Sequence, residues 1–276
     1  MTPVTVRVAL AQSGLVPIDG QVLLAHVVER DRTWLIAHRD DALAPEHAQA
    51  FAALARRRRD GEPVAYLIGW REFHGLPLDV SPAVLIPRPE TETLVELALE
   101  WLPARGPARV LDLGTGSGAI ALALAHAQPA AAVTAVDASS DALAVARANA
   151  QRLGIGNVEF VQGDWYAGLG AATFDLVVSN PPYVAQGDPH LADGDVRFEP
   201  SSALVSGTDG LAALRVIVAG ARPHLRAGGG LIVEHGYDQA DVVRTLLQEA
   251  GFVDLTMRRD LAGIPRVAAG RVPFGV

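Results

Sequence analysis

The sequence predicts an α/β protein, with a mostly parallel sheet covered by helices on both faces and a small helical domain in front of it. Three observations carry that expectation. From about residue 88 onward, short apolar runs bounded by Gly, Asp or Asn alternate with helix-spaced stretches, the pattern of strand–helix–strand units. Residues 1–72 carry helical signals instead. The chemically distinctive side chains cluster where the apolar runs stop, and open parallel sheets bind ligands beyond the carboxyl ends of their strands.

In chain order, residues 1–72 form the expected helical domain. "DGQVLLAHVVERDRTWLIAHR" brings Val22, Leu23, Ala25, His26 and Val27 near one another on a helix, with Trp34, Leu35 and Ile36 further along. "APEHAQAFAALARRRRDG" begins with Pro45 in a first turn and stops at Gly61, the positions where helices accept these residues. Arg56 to Arg59 form the basic run of the chain. Cations suit the negative end of a helix dipole, so a solvated helix end is favoured over a contact for RNA or an acidic partner.

Residues 73–87, within "WREFHGLPLDVSPAVLIPRPE", are rich in Pro and Gly and read as a linker with a small hairpin. Residues 88–276 form the expected main domain. Its strands are "ARVLDLG" (108–114), "AVTAVDAS" (132–139), "NVEFVQGD" (157–164), "TFDLVVSN" (173–180) and "GLIVEHG" (230–236). "DALAVARANAQRLG" (141–154) and "QADVVRTLLQEAG" (239–251) supply helices, and "FVDLTMRRDLAGIPRVAAGRV" reads as two closing strands paired antiparallel. Seven strands result.

The composition excludes several classes. With 276 residues, half of them hydrophobic and a fifth charged, the chain is long enough for two domains and is not disordered. A net charge of −8 weighs against a nonspecific nucleic-acid binder. There is no cysteine, hence no disulfide or thiolate metal site. The eight histidines show no metal-ligand spacing, His235 beside Glu234 being the nearest case, so no metal is expected. The N-terminus lacks a basic region followed by a sustained apolar stretch, so no signal peptide is expected. Residues 113–136 carry no charge and are long enough to span a bilayer. Their glycines, His126, Gln128, Pro129 and many alanines suit a strand end, loop and buried helix better. The expectation is a cytoplasmic monomer that binds neither membrane nor, directly, nucleic acid.

The first strand end is "LDLGTGSGAIALALA" (111–125), where Gly114, Gly116 and Gly118 allow a tight turn and close approach of backbone to a ligand at a helix N-terminus. Alone this signal is weak, because it also fits G-x-G-x-x-A through Ala119 and thus a dinucleotide dehydrogenase. Asp137 ends the second strand about 20 residues later, where an acid commonly accepts hydrogen bonds from ribose hydroxyls. Helix capping is the alternative, but Ser139, Ser140 and Asp141 are better placed for it. Asp164 and Trp165 end the third strand, an acceptor beside an aromatic that suits a purine, with plain core packing as the alternative for the ring. Up to this point NAD and S-adenosylmethionine fit equally.

The fourth strand end decides between them. "VVSNPPYV" (177–184) leaves a strand through Asn180, Pro181, Pro182 and Tyr183, and two prolines cannot continue a sheet. A rigid turn is the plain reading. The chemical reading starts from a planar amide or exocyclic nitrogen, whose delocalised lone pair makes it a poor nucleophile. Two fixed carbonyl oxygens that accept its hydrogens hold it for in-line attack and offset the developing positive charge. Asn180 offers a side-chain oxygen and Pro181 a main-chain oxygen. Pro182 adds no competing N–H, and each proline stiffens the residue before it. Tyr183 can lie against the flat group. A sulfonium methyl donor is already activated, so neither strong base nor metal is demanded.

With these residues in register, the chain resembles the release factor protein-(glutamine-N5) methyltransferases, PrmC/HemK. The likeness covers nearly the whole chain, including "RRDGEPVAYLIGWREFHGLPLDVSPAVLIPRPETE", "VLDLGTGSGAIALALA", "AVDAS", "GDWYAGL", "FDLVVSNPPYV", "DPHLADGDVRFEP", "LIVEHG" and "RVAAGR". The run ending Arg88-Pro89-Glu90-Thr91-Glu92 and "VRFEP" are more specific than Asn-Pro-Pro-Tyr. The resemblance implies a Rossmann-like, S-adenosylmethionine-dependent methyltransferase domain. It also implies transfer to the glutamine amide of a Gly-Gly-Gln loop in peptide chain release factors, the expected partners, and so a part in translation termination. It places Gly114, Thr115, Gly116, Ser117 and Gly118 along the methionine portion and ribose, Asp137 on the ribose hydroxyls and Trp165 beside adenine. Asn180 and Pro181 would take the glutamine amide hydrogens, with Pro182 and Tyr183 completing the substrate site and Asn180 also bordering the cofactor. Small departures are His74, where Tyr or Trp is commoner, and "GIPRV", which lacks a charge often found before its arginine. Glu90 and Glu92 are either substrate contacts or acids in a first helical turn.

The runner-up function is methylation of an exocyclic amino group on a nucleic-acid base, which is equally planar but calls for a basic groove. A dehydrogenase and a donor-binding module without catalysis rank below it.

Overall fold

The computed structural model describes residues 4–103 and 106–274. The chain forms two compact units, one of residues 1–70 with 192–198 and one of residues 71–191 with 199–276. The sequence-drawn blocks of 1–72, 73–87 and 88–276 do not anticipate that a short piece of the later chain joins the first unit.

The first unit is helical: α1 (Val6–Gln12), α2 (Pro17–Val28), α3 (Arg32–Ala37), α4 (Pro45–Arg59) and α5 (Val64–Ile68). Leu23, Leu24, Leu35, Phe51 and Leu67 form its core. The stretch around Val22–Ile36 divides into two helices, because Glu29 turns left-handed at φ +53° and Asp31 then caps α3 by accepting from Trp34 N at 2.7 Å. Of the basic run at the end of α4, Arg57 pairs with Glu62, Arg58 with Asp19 and Asp195, and Arg59 donates to Ser13 O.

A two-stranded hairpin follows, β1 (Trp70–Phe73) and β2 (Leu76–Asp79). The second unit then builds α6 (Glu92–Trp101), β3 (Ala108–Leu113), α7 (Ala119–Ala127), β4 (Ala131–Asp137), α8 (Ser140–Leu153), β5 (Val158–Gln162) and β6 (Phe174–Ser179). It continues with α9 (Ala212–Ala221), β7 (Leu225–Glu234), α10 (Ala240–Glu249), β8 (Val253–Arg259) and β9 (Pro265–Arg271). The expected seven-stranded sheet has the order β5-β4-β3-β6-β7-β9-β8. Its first five strands are parallel, and β9 runs antiparallel between β7 and β8.

Apolar side chains alternate to the two faces, as a sheet buried on both sides requires. Val110, Leu176, Val178 and Ile232 pack with α6 and α7. Leu111, Val177, Leu231 and Val233 pack with α9 and α10. Successive strands run outward from β3 in one direction and from β6 in the other. The crevice beyond the carboxyl ends of β3 and β6 is therefore the topological switch point, where such Rossmann-like sheets bind ligands. Among the described residues, no helix is long and apolar enough to cross a membrane.

Candidate active site

At the end of β3 the chain turns sharply, and Gly114, Gly116 and Gly118 all have positive φ. Gly114 N and Thr115 N both donate to Val136 O, at 2.9 and 3.0 Å, which ties the loop to β4. Beneath it lies Asp112, fully buried, accepting from the Thr115 hydroxyl at 2.7 Å. Burial raises this acid to about 7. From the other side, Asn149 of α8 donates to Ser117 O at 3.0 Å while exchanging hydrogen bonds with the Asp79 backbone. Asn149 does not declare itself in the sequence, since its contacts need α8 brought against the loop and the Asp79 backbone, and Asp112 stands out only once its burial is known.

Asp137, ending β4, is held by two backbone donors: Gly116 N to Oδ2 at 2.8 Å and Ser139 N to Oδ1 at 2.9 Å. Its carboxylate is thus fixed in direction, and each oxygen keeps a further acceptor position. Ser139 caps α8 by accepting from Ala142 N, so capping does not occupy Asp137. After β5, Gly163 approaches the chain so closely that a Cβ would lie 2.4 Å from Ala167 O. Trp165 follows in a left-handed conformation, φ +51°, and its ring stands where a side chain on Gly114 would meet it at 3.5 Å.

One cavity joins these pieces. Gly114, Thr115, Gly116, Ser117, Asp137, Asp164, Trp165, Asn180 and Pro182 line it, along with residues of the 83–91 and 200–203 segments. Gly118, Pro181 and Tyr183 are not among the lining residues. Gly118 instead caps α7 in a left-handed turn where a Cβ would meet Leu122 at 3.0 Å. Pro181 is buried. Tyr183 is partly buried, its hydroxyl donates to Glu234 Oε1 at 3.2 Å, and its carbonyl accepts from Gln239.

Asn180 leaves β6 with its Nδ2 donating to Thr91 Oγ1 at 2.9 Å. Among the described residues, no donor is bonded to its Oδ1. Glu92 accepts from His74 N at 2.9 Å and so supports the β1–β2 turn. Arg88 pairs with Glu199, whose other oxygen accepts from Ile86 N at 3.1 Å. That buried acid shapes the 83–91 wall of the cavity. The run through Arg88 to Glu92 signals itself in the sequence, but Thr91, which touches Asn180, is its least conspicuous member.

The PrmC N-terminal domain family matches residues 5–69, and the Methyltransferase small domain family matches residues 91–195. A release factor glutamine methyltransferase of Bordetella pertussis is 54% identical over 262 residues, covering 95% of this chain and 97% of its own. One of Escherichia coli is 49% identical over 253 residues, covering 92% of this chain and 91% of its own. Among solved structures, a Pyrococcus furiosus methyltransferase is similar in fold, with TM-score 0.55, 20% identity and coverage of 72% of this chain and 90% of its own.

Proposed function

The chain belongs to the release factor glutamine methyltransferase family, and from that premise we propose that it transfers a methyl group from S-adenosylmethionine to the side-chain amide nitrogen of the Gly-Gly-Gln glutamine in peptide chain release factors. The observation that carries the reading is that Asn180 lines the same cavity as Gly114, Gly116, Asp137 and Trp165.

The donor set suits S-adenosylmethionine. Asp137 has spare acceptor positions for vicinal ribose hydroxyls, and Asp164 with the Trp165 ring suits the adenine. A Cβ on Gly116 would stand in open space, so backbone there is free to approach a ligand closely. When bound, the cofactor supplies an activated methyl group on a sulfonium.

The protein's own work is orientation. Asn180 Oδ1 and the Pro181 carbonyl accept the two amide hydrogens, which holds the nitrogen lone pair toward the methyl group and offsets the charge that develops on nitrogen. Pro181 and Pro182 limit the backbone freedom of both acceptors. Tyr183, anchored through its hydroxyl, gives the amide a fixed flat neighbour. Proton loss follows attack and needs no dedicated strong base.

The protein acts as a cytoplasmic monomer and does not bind nucleic acid directly. In support, the side chains of Arg57, Arg58 and Arg59 are engaged within the helical unit and do not form a free basic face. Mass spectrometry of release-factor peptides after incubation with the donor tests the assignment. The expected result is one added methyl on the Gly-Gly-Gln glutamine. Label transferred only to nucleic acid overturns it in favour of base methylation, and calorimetric preference for NAD overturns the cofactor.

A further inference from the structure

The two halves of the site lie on loops that leave adjacent strands. Gly114–Gly118 follow β3 and Asn180 follows β6. Within the sheet these strands are paired up to Leu113 and Ser179, and the Ser179 hydroxyl donates to Leu113 O at 2.7 Å. Past the strand ends that pairing stops. Yet a misplacement of about 1 Å between donor and acceptor can cost a methyl transfer a hundredfold.

A second connection between the loops runs through the β1–β2 hairpin. On the donor side, Ser117 O accepts from Asn149 Nδ2 at 3.0 Å. The same Nδ2 donates to Asp79 O at 3.0 Å, and Asn149 Oδ1 accepts from Asp79 N at 2.7 Å. Asp79 is the last residue of β2. At the hairpin's turn, His74 N donates to Glu92 Oε1 at 2.9 Å. Glu92 adjoins Thr91, whose hydroxyl accepts from Asn180 Nδ2 at 2.9 Å. The path is a closed ring: donor loop, Asn149, hairpin, Glu92, Thr91, Asn180, and back through Ser179 to β3.

A two-stranded ribbon alone is marginally stable in water. Here Phe73, Leu76 and Leu78 are buried in one core with α6 and α7, and Phe73 also lines the cavity, so the hairpin is held firm beside the site. Asn149 is fully buried, and its Oδ1 accepts a further bond from Arg152 at 3.2 Å. A buried amide used at both ends tolerates one geometry, because any other leaves polar groups unpaired.

We propose that Asn149 and Glu92 are positioning residues that set the spacing between the donor loop and the Asn180 acceptor, with the β1–β2 hairpin as the strut between them. The inference rests on the glutamine-methylation reading and deepens it. Neither residue lines the cavity, so both act through others. A strut fastened at two points works in series, and freeing either end frees the whole.

The test compares wild type, N149A, E92A, E92Q and the N149A/E92A double variant on a release factor, with kcat read at saturating donor and substrate. Tm and calorimetric donor affinity serve as controls. N149A and E92A are each expected to lower kcat about tenfold. E92Q keeps the acceptor oxygen without the charge and should restore most of the E92A loss. In series, the double variant should also fall about tenfold, not the roughly hundredfold of independent sites. Donor affinity should drop in N149A, which frees Ser117, and stay within about threefold in E92A. Independently of any substrate, hydrogen exchange should quicken at the far end of the hairpin, at the Asp79 amide in E92A and the His74 amide in N149A. Wild-type kcat in E92A, no rescue by E92Q, a multiplied loss in the double variant or unchanged far-end exchange would each overturn the strut. If N149A does not fold, E92A, E92Q and exchange at Asp79 decide the matter. A wild-type enzyme that leaves the release factor unmodified would instead overturn the functional reading, with the exchange comparison still deciding the strut.

Discussion

Trp165 sits at φ +51°, a conformation that costs a non-glycine residue about 1–2 kcal/mol. Residues kept in such regions are over-determined by their surroundings, and here Gly163 and Gly114 provide the closeness that does so. Gly163→Ala is expected to destabilise the protein by about 1–3 kcal/mol, because the new methyl group meets the Ala167 carbonyl, and to weaken donor binding by displacing Trp165. Denaturant unfolding and calorimetry measure both, and an unchanged midpoint would contradict the close approach. On the role proposed for Asn180, Asn180→Ala removes an acceptor that would act on charge developing during transfer. Its kcat should drop about a hundredfold or more while donor affinity remains measurable. Equal loss of both would mean that Asn180 serves the cofactor rather than the substrate.

At the scale of elements, the β1–β2 turn consists of His74 and Gly75, both at positive φ, +48° and +78°. Two such residues make the turn that matches strand twist, and Asn or Gly suits its first position better than His. His74→Asn should therefore stabilise the protein by up to about 1 kcal/mol, read as a higher denaturation midpoint with activity retained. A lower midpoint would show that the imidazole contributes packing that exceeds the strain. Arg58 links α2 and α4 to Asp195 within the helical unit. The basic run is thus in large part an internal fastening, which its position at a helix end does not disclose.

At the scale of the whole molecule, two carboxyls among the described residues are buried with raised pKa values. Asp112 goes from an ordinary 3.8 to about 7, mainly by desolvation, and Glu234 goes from 4.5 to about 7 for the same reason. Between those limits the folded protein holds protons that the unfolded chain has released. Their contribution to stability is complete below the unfolded values and is lost as pH rises toward 7. Each group changes the unfolding free energy by up to about 1.4 kcal/mol per pH unit in that window. Asp112→Asn should flatten the fall in stability between about pH 5 and 7 relative to wild type. Urea titrations at several pH values check this, and parallel curves for the two proteins would refute it.

The strand–helix alternation, the seven strands and the antiparallel closing pair were legible because local periodicity and turn residues encode them. The glycine loop, Asp137, Trp165 and Asn180 were legible because strand ends are where side chains meet ligands in such sheets. The sequence could not reveal Asp112 under the loop, Asn149 stitching α8 to it, Thr91 beside Asn180, or Glu234 behind Tyr183. Those pairings join residues as many as 89 positions apart. A hydrogen bond depends on angstrom distances that arise only once the sheet and helices have packed. Linear order therefore determined which chemical groups reach the end of the sheet, and the tertiary structure alone decided which way each of them faces.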